Sequence, residues 1–409
     1  MKLSRKLLIL LNVIFLTGCF DSVEINNRSV ILEFAIDKND KNDKKEKPYE
    51  ITYSIPDMAK LSGTESLALD MKTNIPIQAK TIVDSLDILE TKTRNTITFS
   101  HVKVIFLGED LLKDDKLFKQ TLDSMTRGRQ FARNIPILAV NGRTEEAISI
   151  KNTQQPIIGL YIMNYFNNKE RPLAYFEPQL LGNFIRDMQD TGVALMPIFK
   201  LPKSEDFVQS KEPTEIEKSN NEINLKASTE NEQMEVGNTS FEISGAALLK
   251  NYTFVEYLDK NVVRGKLLID GHARDVPVIT NYKDSPITYV LEHTVSSIDF
   301  KTINGNFCTV INIAAKGEIA EYTDNNIFNQ TAFKEIKLLI ADEIYRQTKI
   351  TLDKAKELNI DFLKIGDKMF RKEPNLWKDY KDTWEQNGFE EMPIYVNINV
   401  DINNTGILM

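Results

Sequence analysis

One cysteine near the start of the chain has the setting for covalent lipid attachment. The run Leu16-Thr17-Gly18-Cys19 follows ten mostly apolar residues (7–16) and a basic start. Ten helical residues reach only about 15 Å, roughly half the hydrocarbon thickness of a bilayer. The small residues before Cys19 let a peptidase approach the backbone, and the thiol can accept a diacylglyceryl group. The pattern predicts a lipoprotein signal peptide at 1–18 and acylation of Cys19, with an ordinary signal peptide and an unmodified cysteine as the alternative.

Lipidation would hold the mature protein on a membrane. Each buried methylene contributes about 0.8 kcal/mol, so two acyl chains anchor a protein stably. The only other cysteine is Cys308, so no intramolecular disulfide can form once Cys19 is acylated. No later stretch approaches the roughly 20 apolar residues of a spanning helix. We therefore expect the protein to be anchored to the membrane and not to span it.

The remaining residues show no pattern typical of catalysis or metal binding. The three histidines, His101, His272 and His293, belong to no His-Glu-x-x-His, and no Cys-x-x-Cys exists. There is also no phosphate-binding Gly-rich loop and no Gly-x-Ser-x-Gly. Neighbouring acids such as Glu109 and Asp110 are placed to start helices. The sequence predicts no catalytic residue, no metal site and no cofactor.

Two of the histidines lie in apolar strand-like runs. His101 is in a run that predicts one strand over Thr96–Leu107. His293 alternates with Leu291 and Val295, a spacing that predicts an inward-facing side chain. Both positions favour a structural histidine over a catalytic one.

Composition excludes some classes of partner. The 409 residues are 42% hydrophobic and 27% charged, which is ordinary for a globular protein of two or three domains. The formal net charge is −8. Nucleic-acid binding and adhesion to an anionic membrane both need clustered basic residues, so we expect no nucleic-acid partner and no charge-driven membrane contact.

The pattern of elements divides the mature chain into parts. Strands and helices alternate over 19–202, which predicts an N-terminal α/β domain. Residues 203–240 are polar and mixed in charge, typical of a linker or mobile loop. A small β-rich middle domain is predicted at 241–285.

The last part, 286–409, has the clearest periodicity. Asn304-Gly305 separates two strand-like runs and predicts a hairpin. An amphipathic helix of about 25 residues follows, and a closing strand alternates over Ile394–Ile402. This predicts an α+β domain with an antiparallel sheet packed with long helices, and a multi-domain α+β protein overall, with three domains.

Trp377 and Trp384 are seven residues apart in a predicted helix that Pro374 opens. Two helical turns place them on one face. We interpret them as core anchors that pack this helix onto the sheet, with a partner-binding patch as the alternative.

Short runs along the mature chain resemble those of the Ger(x)C lipoproteins. The first is Gly18-Cys19-Phe20-Asp21-Ser22-Val23-Glu24-Ile25-Asn26-Asn27, although the family usually has tryptophan where this chain has Phe20. The second is Ser100-His101-Val102-Lys103-Val104-Ile105-Phe106-Leu107-Gly108-Glu109. The last comprises Ile360-Asp361-Phe362, Gly366, Pro374, Trp377, Trp384, Phe389, Pro393 and Thr405-Gly406. These landmarks occur in order from residue 18 to 408, so the resemblance covers essentially the whole mature chain.

The resemblance implies the C subunit of a bacterial spore nutrient germinant receptor, with a three-domain fold and no enzymatic activity. It implies a location on the outer face of the spore inner membrane, beside a multi-helix A subunit and a permease-like B subunit. The candidate interaction residues are then Asp21, Glu24, Asn26, Asp361, Trp377 and Trp384.

Two other classes remain as alternatives. A solute-binding lipoprotein of an ABC importer would have two similar βαβ lobes around a cleft, unlike the predicted C-terminal part. An envelope hydrolase has less support, because no pairing of a nucleophile with a base is visible.

Overall fold

The structure is a computed structural model that describes residues 28–40, 46–57, 72–150, 155–201, 241–303, 305–322 and 330–404. The predicted lipid-attachment residue Cys19 and the candidate residues Asp21, Glu24 and Asn26 lie outside these ranges. So does the whole of the predicted linker, 203–240.

The strands of the described ranges form three sheets. In chain order they are β1 (Arg28–Val30), β2 (Glu33–Lys38), β3 (Tyr49–Pro56), β4 (Lys72–Ala79), β5 (Thr96–Thr98), β6 (Val104–Gly108), β7 (Ile137–Val140), β8 (Val193–Lys200), β9 (Glu242–Lys250), β10 (Thr253–Leu258), β11 (Val276–Tyr282), β12 (Ser285–Ile303), β13 (Asn306–Tyr322) and β14 (Ile394–Asn404).

The helices pack on the two larger sheets. In chain order they are α1 (Ile82–Lys92), α2 (Glu109–Leu112), α3 (Asp115–Arg127), α4 (Thr144–Ser149), α5 (Ile158–Asn167), α6 (Leu181–Asp190), α7 (Lys260–Asp270), α8 (Gln330–Glu357), α9 (Ile365–Lys372), α10 (Pro374–Tyr380) and α11 (Phe389–Glu391), with a π-helical turn at Trp384–Gly388. No helix in the described ranges is both long enough and apolar enough to cross a bilayer.

The largest sheet has the order β10-β9-β8-β7-β6-β2-β3-β4. Its centre is parallel, because helical crossovers lead from β6 to β7 and from β7 to β8, whereas both flanks are antiparallel. Helices α1, α3 and α6 cover one face, and α4 and α5 cover the other. With both faces covered, β6 and β7 are buried along their whole length.

Two buried carboxylates on β2 accept hydrogen bonds from residues at the starts of two helices. Glu33 accepts a hydrogen bond from the backbone N–H of Gly159 in α5 at 2.6 Å and pairs with Lys72 at 2.6 Å. Asp37 accepts from both the N–H (3.1 Å) and the hydroxyl (2.6 Å) of Thr144 in α4. Burial raises the pKa of Asp37, while these hydrogen bonds lower it. The two acids therefore fix where α4 and α5 meet the sheet.

The smaller sheet has the order β11-β12-β13-β14. β12 and β13 form the predicted hairpin, which closes at the pair Ile303–Asn306, and Gly305 takes a φ of 83° in its turn. β14 pairs with β13 in parallel, so the sheet is not wholly antiparallel. The reason is the long helical connection from α8 to α11, which returns the chain to the start of β13. Helix α8 packs on this sheet through apolar residues that the sequence identified: Ile336, Ile340, Ile344 and Leu352.

The predicted α+β class is confirmed, but residues 241–285 are divided between the two large sheets. β9 and β10 extend the larger sheet beside β8, whereas β11 is the edge of the smaller one. Helix α7 joins them and packs tightly on α8. A Cβ atom on Gly265 would lie 2.1 Å from Oγ1 of Thr351. The two sheets thus share this segment instead of flanking a separate body.

The structure corrects two local predictions around histidines. The strand predicted over Thr96–Leu107 is broken into β5 and β6, and His101 is exposed in the turn between them. The β12–β13 register shifts between Leu291 and His293, and this bulge reverses the alternation. His293 is therefore exposed and its neighbour Thr294 is buried.

Candidate functional site

Two tryptophans meet although the chain between them is not one continuous helix. Trp377 lies on α10, which ends at Tyr380, and Trp384 begins the π-helical turn. Their rings make an edge-to-face contact with centroids 5.5 Å apart, and Phe389 packs on Trp384 at 5.7 Å. Trp384 is buried and Trp377 is half-buried. They form an aromatic wall among the C-terminal helices.

Asp361 holds this wall in place. One carboxylate oxygen accepts the N–H of Ile365 at 2.9 Å, and the other accepts the N–H of Gly366 at 2.7 Å and the indole N–H of Trp384 at 3.2 Å. Loss of solvent raises the pKa of Asp361, and the three donors act in the opposite direction. The carboxylate therefore caps the start of α9 and orients the indole.

Gly366 allows the two tryptophans to approach the start of α9. A Cβ atom there would lie 2.6 Å from Nε1 of Trp384 and 3.1 Å from Cη2 of Trp377. Asp361, Trp377 and Trp384, three of the sequence-predicted interaction residues, are thus brought together around one glycine.

A cavity of about 320 Å³ opens beside this cluster. Its apolar lining on the C-terminal side includes Phe370, Trp377, Trp384 and Phe389, while Asp190, Thr191, Val193 and Lys250 come from the larger-sheet region. Phe370 is 55% exposed. We call the larger sheet with α1–α6 one domain and the smaller sheet with α7–α11 the other. The cavity lies between these two domains, which is a common place for ligand pockets.

One helix ends at this cavity and another ends near it. Helix α6 ends at Asp190, and α8 ends at Glu357, two residues before the lining residue Asn359. Unpaired carbonyls give helix C-termini a partial negative charge. The side-chain N–H₂ of Asn359 donates to the carbonyls of Glu385 and Gln386, at 3.3 and 2.7 Å. Its Oδ1 is buried and has no hydrogen-bond partner among the described residues.

The two lysines that line the cavity are already paired across the domain boundary. Lys250 on β9 lies 3.5 Å from Glu385. Lys364, just before α9, lies 2.7 Å from Asp187 on α6. Asp190 has no ion-pair partner within the described ranges. The basic groups therefore join the domains, and an acid at the cavity is left without a counter-ion.

A second charged cluster lies next to the cavity and also joins the domains. The ammonium of the buried Lys266 on α7 lies 2.6 Å from Glu177 and 2.7 Å from Asp270. Lys368 on α9 reaches Asp270 at 3.1 Å. The charge of Lys266 holds the pKa of Glu177 and of Asp270 below their usual values against the effect of burial.

His272 extends this cluster toward solvent. Its Nδ1 lies 3.3 Å from Glu177, and the hydrogen bond to that carboxylate raises the pKa of the imidazole. Each of Glu177, Asp270 and His272 has one atom that could ligate a metal ion, and these three atoms lie within 4.8 Å of one another. Lys266 already supplies the positive charge between the two acids, so we interpret the cluster as an interdomain ion network.

Sequence reasoning missed three polar residues that line the cavity. Asp190, Lys250 and Asn359 carry no motif, and each looks like an ordinary surface residue in its own segment. Asp361 and the tryptophans were found only through the family resemblance and the seven-residue spacing. These residues share only their position at the boundary between the two domains, which no local sequence pattern reveals.

Comparisons with known proteins give matches along the whole chain. A family model described as "Spore germination protein N-terminal domain" matches residues 21–201. Another, described as "Spore germination B3/ GerAC like, C-terminal", matches residues 244–406. Spore germination protein KC of Bacillus subtilis (strain 168) is 22% identical over 412 residues, covering 98% of this chain and 95% of that protein.

A solved structure has the same fold. The crystal structure of the GerBC protein matches with a TM-score of 0.56 at 18% sequence identity, covering 91% of this chain and 97% of that chain. The likeness therefore extends over most of the length of both chains.

Proposed function

The chain belongs to the Ger(x)C family of spore germination proteins, and from that premise we propose that it is the lipid-anchored C subunit of a nutrient germinant receptor. The observation that carries the proposal is the pair of family models, which together span residues 21–201 and 244–406. In this role the protein has no catalytic activity of its own. It contributes to receptor assembly and to the germination signal.

Anchoring is supported by the lipobox Leu16-Thr17-Gly18-Cys19. The first described strand, β1, begins at Arg28, only a short distance after Cys19. Two acyl chains at Cys19 would hold the folded domains close to the bilayer surface. We propose that this surface is the outer face of the spore inner membrane.

The proposed partners are the A and B subunits of the receptor. With a net charge of −8, the protein is suited to contacts of shape and specific polar groups and not to general adhesion to anionic lipid. The candidate contact residues before β1 are Asp21, Glu24 and Asn26, which would lie nearest the membrane and hence nearest the membrane-embedded subunits.

The solute-binding alternative has less support. Two similar lobes are expected of such a protein, whereas here an eight-stranded mixed sheet is joined to a four-stranded sheet of different topology. Among the residues that the structure describes, no observation favours a hydrolase.

Replacement of the anchoring cysteine tests the proposal. In a sporulating host, Cys19→Ala should move the protein from the membrane fraction to the soluble fraction and reduce germination. Cys308→Ala is the matched control, since it removes the only other thiol and should leave both properties unchanged. Mass spectrometry of the mature protein should show a diacylated N-terminal cysteine. A membrane-bound, fully functional Cys19→Ala protein would contradict the anchoring.

Assembly is tested separately. A tagged wild-type subunit, solubilised from spore membranes in detergent, should co-purify the multi-helix A subunit and the permease-like B subunit. Recovery of the tagged protein alone, under conditions in which the A and B subunits stay together, would contradict the proposed partnership.

A further inference from the structure

We propose that the cavity between Asp190, Asn359 and the tryptophan pair binds a small organic ammonium ion that has an apolar body. This inference goes beyond the receptor role and does not depend on it. It rests on the lining of the cavity, on the groups around it that lack partners, and on its place between the two domains.

The aromatic walls of the cavity indicate that the ligand has an apolar part. Phe370, Trp377, Trp384 and Phe389 present aromatic rings to a space of about 320 Å³, which is near the lower end of the range of about 300–1,000 Å³ for small-molecule pockets. Asp361 fixes the indole of Trp384 through the 3.2 Å hydrogen bond. The wall is therefore preorganised, and binding does not have to order these rings.

The charged and polar groups around the cavity indicate the sign of the ligand's charge. The C-terminal end of α6 lines the cavity at Asp190 and Thr191, and helix C-termini favour cations. Asp190, the last residue of α6, has no ion-pair partner among the described residues and adds a full negative charge. Aromatic faces also attract cations, by about 0.5–2 kcal/mol according to burial. All three effects favour a positive ligand.

A hydrogen-bond count supports an ammonium group. Oδ1 of Asn359 is buried and lacks a donor in the described part of the chain. Buried acceptors are normally satisfied. The carboxylate of Asp361, by contrast, already has three donors. A primary ammonium has three N–H donors and can therefore serve more than one acceptor of a lining that includes both Asn359 and Asp190.

The lysines of the lining do not oppose a cation strongly. Lys250 is paired with Glu385 at 3.5 Å and Lys364 with Asp187 at 2.7 Å. Their charges are directed to those carboxylates, so Asp190 and Asp361 are the lining acids without an ion pair in the described ranges, and Asp361 already accepts three hydrogen bonds. Because the lining comes from both domains, an occupied cavity should also stabilise their contact.

Both tryptophans of the chain line this cavity, so intrinsic fluorescence reports on it selectively. The full chain, purified in detergent, is titrated with 2-phenylethylamine, with 2-phenylethanol and with 3-phenylpropionate while tryptophan emission is recorded. We expect a saturable change with the amine at millimolar or lower concentration. The alcohol should bind about tenfold more weakly because it lacks the charge, and the anion more weakly still.

Variants locate the binding. Asp190→Asn should weaken binding of the amine about fivefold, the size expected for an exposed ion pair. Phe370→Ala should weaken it by a similar factor, and its exposed position keeps the cost in stability small. Asp342→Asn, an exposed acid on α8 far along the helix from the cavity, is the matched control and should leave the affinity unchanged.

Three outcomes would overturn the proposal. Equal affinities for the amine and the alcohol, or an Asp190→Asn protein that binds the amine as tightly as the wild type, would remove the ammonium assignment. If none of the three probes gave a saturable change, the proposed site would be removed. None of these results would affect the anchoring proposal, which is tested at Cys19.

Discussion

The indole N–H of Trp384 donates a hydrogen bond of 3.2 Å to Oδ2 of Asp361, the same oxygen that accepts the N–H of Gly366. This carboxylate therefore couples the start of α9 to the π-helical turn. The link matters because Trp384 forms one wall of the interdomain cavity. The position of a tryptophan depends on a residue 23 positions earlier in the chain.

Replacing this acid should loosen the wall. In Asp361→Asn the amide has one acceptor oxygen where the carboxylate has two, and its N–H₂ group would face donors. We expect a loss of about 1–3 kcal/mol in the free energy of unfolding, measured by denaturant titration. Asp342→Asn should change it by less than about 0.5 kcal/mol. A wild-type stability for Asp361→Asn would show that this acid does not hold α9.

Gly366 should not tolerate a side chain. Alanine favours helices by about 1 kcal/mol over glycine, but its Cβ would lie 2.6 Å from Nε1 of Trp384. Because that indole is held by Asp361, overpacking of about 1–3 kcal/mol should outweigh the gain.

The measurement for Gly366→Ala is the unfolding free energy together with the wavelength of tryptophan emission, which should shift to the red as the indoles become more exposed. Gly305→Asn is the control: nothing lies within 4 Å of a Cβ there, and Asn tolerates the positive φ. A stabilised Gly366→Ala protein with unchanged emission would contradict the packing.

The buried lysine at the domain boundary should be essential for stability. Lys266→Met leaves Glu177 and Asp270 without their shared cation, so we expect a loss of about 3–5 kcal/mol. The exposed pair Lys349–Asp353 provides the control, since Lys349→Met should cost less than about 1 kcal/mol.

A compensating variant separates charge from packing. Lys266→Met combined with Glu177→Gln and Asp270→Asn removes the stranded charges and should recover part of the lost stability in the same denaturant titration. If the triple variant is no more stable than Lys266→Met alone, the loss arises from packing and not from unpaired carboxylates.

The pairing of His272 with Glu177 should make stability depend on pH. The hydrogen bond to Glu177 raises the pKa of His272 above its unfolded value. Its stabilising contribution is then complete below the unfolded pKa of about 6.5 and is lost as pH rises through the folded pKa.

Two measurements check this pH dependence. Imidazole proton signals followed by NMR should place the His272 titration above that of an unperturbed histidine. Unfolding free energies measured across the same pH range should show a decrease that His272→Gln removes and that His101→Gln, at an exposed turn, does not. A His272 signal that titrates at or below the unperturbed value would contradict the ion pair.

The elements that the sequence predicted well are those with long, regular apolar patterns. Helix α8 buries Ile336, Ile340 and Ile344, and β14 alternates between exposed and more buried residues, because a single face decides their burial. The signals failed where pairing with a distant strand decides the outcome. The bulge beside His293 and the parallel direction of β14 both depend on β13.

By itself, the sequence determined the properties that a short stretch of chain carries: the lipobox at Cys19, the fold class, the long hairpin and helix, and the family landmarks. Only the tertiary structure decided that Asp190, Asn359 and Trp384 share one cavity, and that Lys266 joins two domains. Hydrophobic periodicity reports which face of an element is buried, but not which distant element covers it. A site that polar residues form at the boundary of two domains therefore cannot be predicted from a local sequence pattern.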